Sequence, residues 1–414
     1  MNQTPRFRTV FRCTLLVVSL GVVATACGDS DSHPLSTKPF DAAQQVALNT
    51  PKGGTVDPDK PLEVTVKGDE GRITDVTVVS DAGHHLAGEL TADGTRWRST
   101  GSLAAGAKYT AKVSTENREG SPGTRTVAFD TSPAQRLLTV EFGPEAGTYG
   151  VGQPLIAELS LPVKDKAARA VVERALKVVS SPSVEGAWHW VDNEVLHYRP
   201  KEYWPAGATV NAVSNLQGVK VANQLYGGPS KALKLTIGDR IEAITDASAH
   251  EMTVLRNGEV INTIPVTTGK PGFSTRSGVK VILGKEYYVR MRGASVGIFG
   301  EEQYDLPVYY AARVTWSGEY VHAAPWSVDS HGAANVSHGC VGMSTGNAAW
   351  FFDTVRAGDI VQVVNSIGKE MDTFGNGYGD WNMPWDEWRQ GSALAAGIRD
   401  GSSPSDSARL RPRV

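Results

Sequence analysis

Short runs of alternating apolar and polar residues, repeated from about residue 45 to residue 238, most constrain what this chain can fold into. Leu62, Val64 and Val66 alternate with polar neighbours, as do Val76 and Val78, and Lys108 to Ser114 and Thr124 to Phe129 repeat the pattern. A period of two over so few residues is that of a strand with one face buried, and the Gly, Asp and Asn clusters between runs supply the turns. A first β-sandwich is therefore expected over 45–132, ending near Asp130-Thr131-Ser132-Pro133. A second is expected over 133–238, with Leu137 to Phe142 as its first strand. Trp188-His189-Trp190, Val195 to Tyr198 and Ala208 to Val213 add strands, and Val163 to Val179 has helical spacing. Two consecutive modules of about 90–100 residues match the size of Ig-like domains.

The pattern restarts after Gly238-Asp239. Glu251 to Leu255 and Glu259 to Ile261, joined by Arg256-Asn257-Gly258, form a hairpin signal. Further strands are expected at Val279 to Leu283, Val308 to Val314, Glu319 to His322 and Asp359 to Val364, with one short helix from Asn347 to Val355. The fold class is thus mainly β: two Ig-like sandwiches, then a β-rich domain over 239–366. A Trp-rich subdomain over 367–395 follows, its Trp381, Trp385 and Trp388 spaced for packing onto that third domain. Residues 396–414, rich in Ser, Asp and Arg, read as a disordered tail.

The N-terminus bears on the compartment. Arg6, Arg8 and Arg12 precede an apolar stretch from Thr14 to Ala26, the layout of an export signal over residues 1–26. That stretch is shorter than the roughly 20 residues a membrane-spanning helix needs. It ends Ala24-Thr25-Ala26-Cys27 and is followed by Gly28-Asp29-Ser30. Small residues before a cysteine resemble a bacterial lipobox, although Ala24 stands where Leu or Val is usual. The resemblance implies cleavage before Cys27, lipidation of its sulfur, and a polar tether over 27–44 that holds the body outside the membrane. A net charge of −3 gives no reason to expect a nucleic-acid partner.

Cys13 leaves with the signal and Cys27 carries the lipid, so Cys340 is the one thiol left in the body. A single cysteine in an exported protein cannot close an internal disulfide or build a thiolate zinc cage. It lies in Ser337-His338-Gly339-Cys340, downstream of His322 in Tyr320-Val321-His322-Ala323. A free thiol with a pKa near 8.5 needs a neighbouring imidazole to act as a nucleophile at neutral pH. Gly339 allows a tight turn beside the sulfur, where main-chain N–H groups could hold an oxyanion. A metal site from His322, His331 and His338 is the weaker reading, since the one acidic residue nearby is Asp329.

His322 together with Asn335-Val336-Ser337-His338-Gly339-Cys340-Val341-Gly342-Met343-Ser344 resembles the L,D-transpeptidases of bacterial cell walls. Thr268-Gly269-Lys270-Pro271 and the segment Gly379-Asp380-Trp381-Asn382-Met383-Pro384-Trp385 extend the resemblance to the actinobacterial branch with two N-terminal Ig-like domains. The resemblance implies Cys340 as nucleophile and His322 as base, oriented by the carbonyl of Ala323. It further implies that Ser337, His338 and Gly339 form the catalytic turn, and that Tyr304, Trp326 and Asn335 lie near substrate. The substrates would be two peptidoglycan stem peptides, a donor tetrapeptide and an acceptor, joined by a 3→3 cross-link without metal or other cofactor. Carbapenem β-lactams would acylate the same sulfur. Gly342 departs from the Asn or Arg common in the family at that position. Two alternatives stay open: an L,D-carboxypeptidase using the same acyl-enzyme, and a non-catalytic wall-binding lipoprotein.

Overall fold

A computed structural model of the chain describes residues 39–50, 55–67 and 71–395. Cys27, the signal segment and the tail after residue 395 lie outside the described residues. The first sandwich stacks the sheet of Phe40–Asp41, Pro122–Asp130, Lys108–Asn117 and Gly71–Ser80 on that of Val46–Leu48, Glu63–Val66, Arg96–Ser99 and Gly88–Leu90. Its core holds Leu62, Val64, Ile73, Trp97, Val113 and Phe129, the inward members of the alternating runs. Phe40 and Asp41 pair in parallel with Gly123 and Thr124, so the last residues of the expected tether belong to this sandwich.

The second sandwich has two four-stranded sheets and a small three-stranded one. Its helix α1 runs only from Lys166 to Ala175, capped by Asp165, which accepts from the Ala168 N–H. Leu176 begins the strand Leu176–Ser181 instead of a further helical turn. The expected helix to Val179 was therefore too long: from Leu176 the period is two, and pairing with Thr209–Ser214 decides the outcome. The run Leu137 to Phe142 is likewise divided, into Arg136–Leu138 and Val140–Gly143, which join different sheets.

The third domain packs a five-stranded sheet against a four-stranded one. The first has the order Glu259–Pro265, Glu251–Arg256, Ile241–Asp246, Ile360–Val364, Gly278–Val281. The second runs Gly284–Arg292, Asp305–Arg313, Tyr320–Ala323, Val341–Met343. Met252, Val254, Ile264, Ile282, Val321, Val341 and Phe351 form the core between them. Helix α2, Thr345–Thr354, starts on a Ser344 cap and places Phe351 in that core. Asn257 and Gly258 take positive φ at the tip of the expected hairpin (52° and 90°), as such a turn demands.

The Trp-rich segment does not pack chiefly on the third domain, as expected, but ties it to the second sandwich. Helix α3, Trp385–Gln390, buries Trp388 completely and lies on the strand Gly186–Trp190, where the Trp388 Nε1–H donates to Ala187 O at 3.0 Å. The Arg199 guanidinium, from the second sandwich, lies 4.9, 5.4 and 4.6 Å from the ring centres of Trp381, Trp385 and Trp388. His197 and Asp380 are 2.7 Å apart beside it. Asn382 completes the tie by accepting from the Val279 N–H of the third domain at 2.7 Å. The spacing of the tryptophans signalled packing; its partner was set by Arg199, nearly two hundred residues upstream. Among the described residues no helix is long and apolar enough to cross a membrane.

Candidate active site

Tyr320–Ala323 and Val341–Met343 are neighbouring parallel strands, with His322 opposite Gly342. The register brings His322 and Cys340 into one cavity of about 260 Å³, although eighteen residues separate them in sequence. Met291, Tyr304, Leu306, Val308, Ala324 and Trp326 make most of its wall apolar. Met291 and Val308 belong to the hairpin Gly284–Arg292 and Asp305–Arg313, so a scaffold of paired strands holds the site.

His322 is buried, and its Nδ1 lies 2.7 Å from the carbonyl of Ala323. A carbonyl can only accept, so Nδ1 carries the proton and Nε2 keeps its lone pair. Burial pulls the imidazole down to about 4, which leaves it neutral at physiological pH. Burial also pushes the Cys340 thiol up to about 12, against the opposing pull of the Tyr320 N–H that donates to the sulfur. The resting pair is therefore thiol and neutral imidazole, not thiolate and imidazolium. Cys340 Sγ is turned toward Gly318 O, 3.6 Å away, and is not hydrogen-bonded to His322. Such bonds commonly tighten only once substrate is bound.

The turn around Cys340 is fixed at each residue. Gly339 has φ +118°, a region that L side chains rarely enter. Its carbonyl accepts from Thr275 Oγ1 at 2.9 Å, and Ser337 Oγ donates to Cys340 O at 2.6 Å. The Gly339 N–H donates to Ser337 Oγ at 3.1 Å, so it is not aimed at the cavity. Gly339 thus shapes the turn but does not supply the expected oxyanion donor in this arrangement.

His338 does not shape the turn with its side chain. Its Nε2 meets Glu302 Oε2 at 2.7 Å, and Glu302 also accepts from Lys270 Nζ at 2.6 Å. The His338 ring lies against Phe273 and Tyr304, with ring centres 4.7 and 5.1 Å away. These contacts bind the segment before Tyr304 to the turn around Cys340. Tyr304 and Trp326 line the cavity. Asn335 does not: its Oδ1 accepts from Thr268 N at 2.9 Å and faces His250 Nδ1, and its Nδ2 donates to Ala247 O at 2.7 Å. Its amide oxygen and one of its N–H groups hold neighbouring segments together, so the structure places Asn335 in the scaffold and not on the cavity wall where a substrate contact was expected.

Gly342 has a steric reason. A Cβ there would come within 2.9 Å of Ala324 Cβ and 3.0 Å of Thr267 Cγ2, because Gly342 and Thr267 exchange both backbone bonds at 2.8–2.9 Å. Thr267 lines the cavity and was not singled out in the sequence; nothing in its local pattern marks it. His331 Nε2 faces Ser327 at 3.3 Å, and with His322 and His338 also committed elsewhere the three histidines do not converge. Among the described residues no group of three or more metal-ligating side chains is gathered.

Residues 240–363 match the L,D-transpeptidase catalytic domain, and residues 54–220 match the bacterial Ig domain. L,D-transpeptidase 2 of Mycobacterium tuberculosis (strain CDC 1551 / Oshkosh) is 33% identical over 404 residues, 94% of this chain and 97% of that protein. L,D-transpeptidase 5 of Mycobacterium tuberculosis (strain ATCC 25618 / H37Rv) is 30% identical, over 92% of this chain and 85% of that protein. A solved structure of the LD transpeptidase LdtMt1 in complex with imipenem is 37% identical, covers 55% of this chain and 100% of its own, and superposes with a TM-score of 0.48. The similarity to L,D-transpeptidase 2 runs through both sandwiches, the catalytic turn and the Trp-rich segment, and the chain belongs to the L,D-transpeptidase family.

Proposed function

We propose that this L,D-transpeptidase joins peptidoglycan stem peptides through a thioester on Cys340, with His322 as the base. The observation that carries the reading is the His322–Ala323 bond, which fixes the imidazole with Nε2 free inside the cavity that Cys340 enters. The sulfur rotates from Gly318 O toward His322 when a donor tetrapeptide fills the cavity. Nε2 takes the thiol proton as sulfur bonds to the carbonyl carbon of the third stem residue. The tetrahedral intermediate then expels the terminal D-Ala, whose nitrogen receives that proton from the imidazolium. A side-chain amine of a second stem attacks the thioester, gives its proton to Nε2, and the departing sulfur recovers it as thiol. The product is a 3→3 cross-link, and the enzyme returns to its neutral pair.

Met291, Leu306, Val308, Ala324 and Trp326 wall the sulfur with apolar surface, which favours the amine over water. This supports transfer over hydrolysis. The same accessible sulfur is the expected site of acylation by carbapenems. The substrate lies outside the cytoplasm, in keeping with an export signal over residues 1–26 and a lipid on Cys27. The two sandwiches would then hold the catalytic domain away from the outer face of the membrane.

Incubation with a purified disaccharide-tetrapeptide, followed by mass spectrometry, tests the reading. Cross-linked dimer from the wild type and none from Cys340→Ala is the expected result. Tripeptide without dimer would move the assignment to an L,D-carboxypeptidase. Equal product from both proteins would remove Cys340 from the mechanism.

A further inference from the structure

Beside the turn that carries Cys340, and outside the lining of the cavity, lies a charge cluster that the acyl-transfer steps do not use. Lys280 is 1% exposed and Glu319 is 6% exposed. Glu319 Oε2 accepts from Lys280 Nζ at 2.7 Å, while Oε1 accepts from Arg276 Nη1 at 3.0 Å and from the Arg276 backbone N–H at 3.2 Å. Burying the Lys280 and Glu319 charges is costly, with Arg276 half-buried beside them, and a well-packed apolar substitute often serves stability as well or better. Their position suggests what they do. Arg276 follows Thr275, whose hydroxyl holds the Gly339 carbonyl. Glu319 follows Gly318, whose carbonyl faces Cys340 Sγ. A Cβ on Gly339 would lie 3.8 Å from Glu319 Oε1, so the carboxylate sits directly beneath the turn.

We infer that Arg276, Glu319 and Lys280 form a positioning cluster for the nucleophile, clamping Gly318 and Gly339 around the sulfur and setting the charge it meets from behind. The inference rests on Cys340 being the nucleophile. Glu319 and Lys280 act on the sulfur with opposite sign: the carboxylate disfavours a thiolate and the ammonium favours it. The other titratable groups near the sulfur are Tyr304 and His322, which line the cavity with it, and Tyr320, whose ring lies outside that lining. His338 is turned to Glu302 instead. Glu319 therefore joins two functions in one carboxylate: it spans the two segments that flank the sulfur, and it holds back ionisation until His322 takes the proton.

The opposite signs make the test decisive. In the full-length chain, alkylation of Cys340 by iodoacetamide is followed against pH by mass spectrometry for wild type, Glu319→Gln and Lys280→Met, alongside steady-state transpeptidation. Glu319→Gln is expected to shift the alkylation profile by about one pH unit toward lower pH, and Lys280→Met to shift it toward higher pH. Transpeptidation is expected to fall about tenfold or more in both, in kcat and with KM little changed. Glu319→Asp keeps the charge but is one methylene short. It should restore the wild-type alkylation profile without restoring kcat. A purely structural cluster would loosen the turn alike in all variants, so shifts of the same sign, or no shift, would overturn the inference. If Glu319→Gln does not fold, the direction of the Lys280→Met shift still decides. Wild-type turnover that survives complete alkylation of Cys340 would instead refute the nucleophile assignment on which the inference rests.

Discussion

The acid limb of the reaction should lie well below the range usual for a histidine-dependent enzyme. The perturbation is pH alone. Burial pulls the folded-state pKa of His322 down to about 4, from the 6.5 ordinary for an imidazole. At pH 5 an imidazole titrating at about 4 is roughly 90% neutral, whereas one titrating at 6.5 is roughly 3% neutral, a difference of about thirtyfold in competent enzyme. The assay is the second-order rate of Cys340 acylation by a carbapenem, followed by intact-protein mass from pH 4 to pH 9. A rate at pH 5 close to the plateau, flat from there to pH 9, is expected, because the thiol, held at about 12, contributes no thiolate limb in that window. The same burial affects stability. The unfolded chain takes up a proton at His322 below pH 6.5 and the folded chain does not, so about 3 kcal/mol is lost as pH falls from 6.5 to 4. The stability loss and the rate loss should share their lower end near pH 4. A half-point for acylation between pH 6 and 7, or a tenfold rise per unit through neutrality, would refute the neutral-pair reasoning.

Gly342→Asn, which restores a residue common in the family, should lower acylation sharply because its Cβ meets Ala324 and Thr267 at 3.0 Å or less; single-turnover kinetics check this. Trp388→Ala removes a fully buried ring and its bond to Ala187 O, and should cost about 3–5 kcal/mol in chemical denaturation without changing kcat. Asp359 is fully buried where the second sandwich meets the third domain, its carboxyl pushed up to about 7 by burial. Its folded-state pKa is raised, so its contribution to stability is lost as pH climbs from about 4 through 7. Asp359→Asn should therefore raise the melting temperature at pH 8 and have little effect at pH 4.5, as read by calorimetry.

Much of this architecture could be read before any coordinates. The strands of both sandwiches follow a period of two that a buried face imposes, and Asn257-Gly258 marks its hairpin because few other pairs accept positive φ twice in succession. His322 and Cys340 stand out in the sequence because a lone cysteine after Ser-His-Gly with a histidine upstream is rare, and the fold brings both into one cavity. What escaped depends on residues distant in sequence. Leu176 and Val178 fit either a helix or a strand, and only the partner Thr209–Ser214 chooses. Lys280 and Glu319 look like ordinary polar positions in alternating strands, yet they face inward toward each other. Asn335, in a loop near Cys340, resembles a substrate ligand until its three partners are seen. Gly342 read as a missing contact, whereas the close approach of Thr267 leaves no room for one.

In the proposed reaction the stem peptide passes through a covalent bond to Cys340. The most direct test is to quench the full-length enzyme in acid within its first turnover on a disaccharide-tetrapeptide and map the peptides by mass spectrometry. The expected result is the donor, less its terminal D-Ala, on the peptide containing Cys340, lost on treatment with hydroxylamine and absent from Cys340→Ala. Cross-linked product formed with an unmodified Cys340 at every quench time, and formed equally by Cys340→Ala, would contradict it.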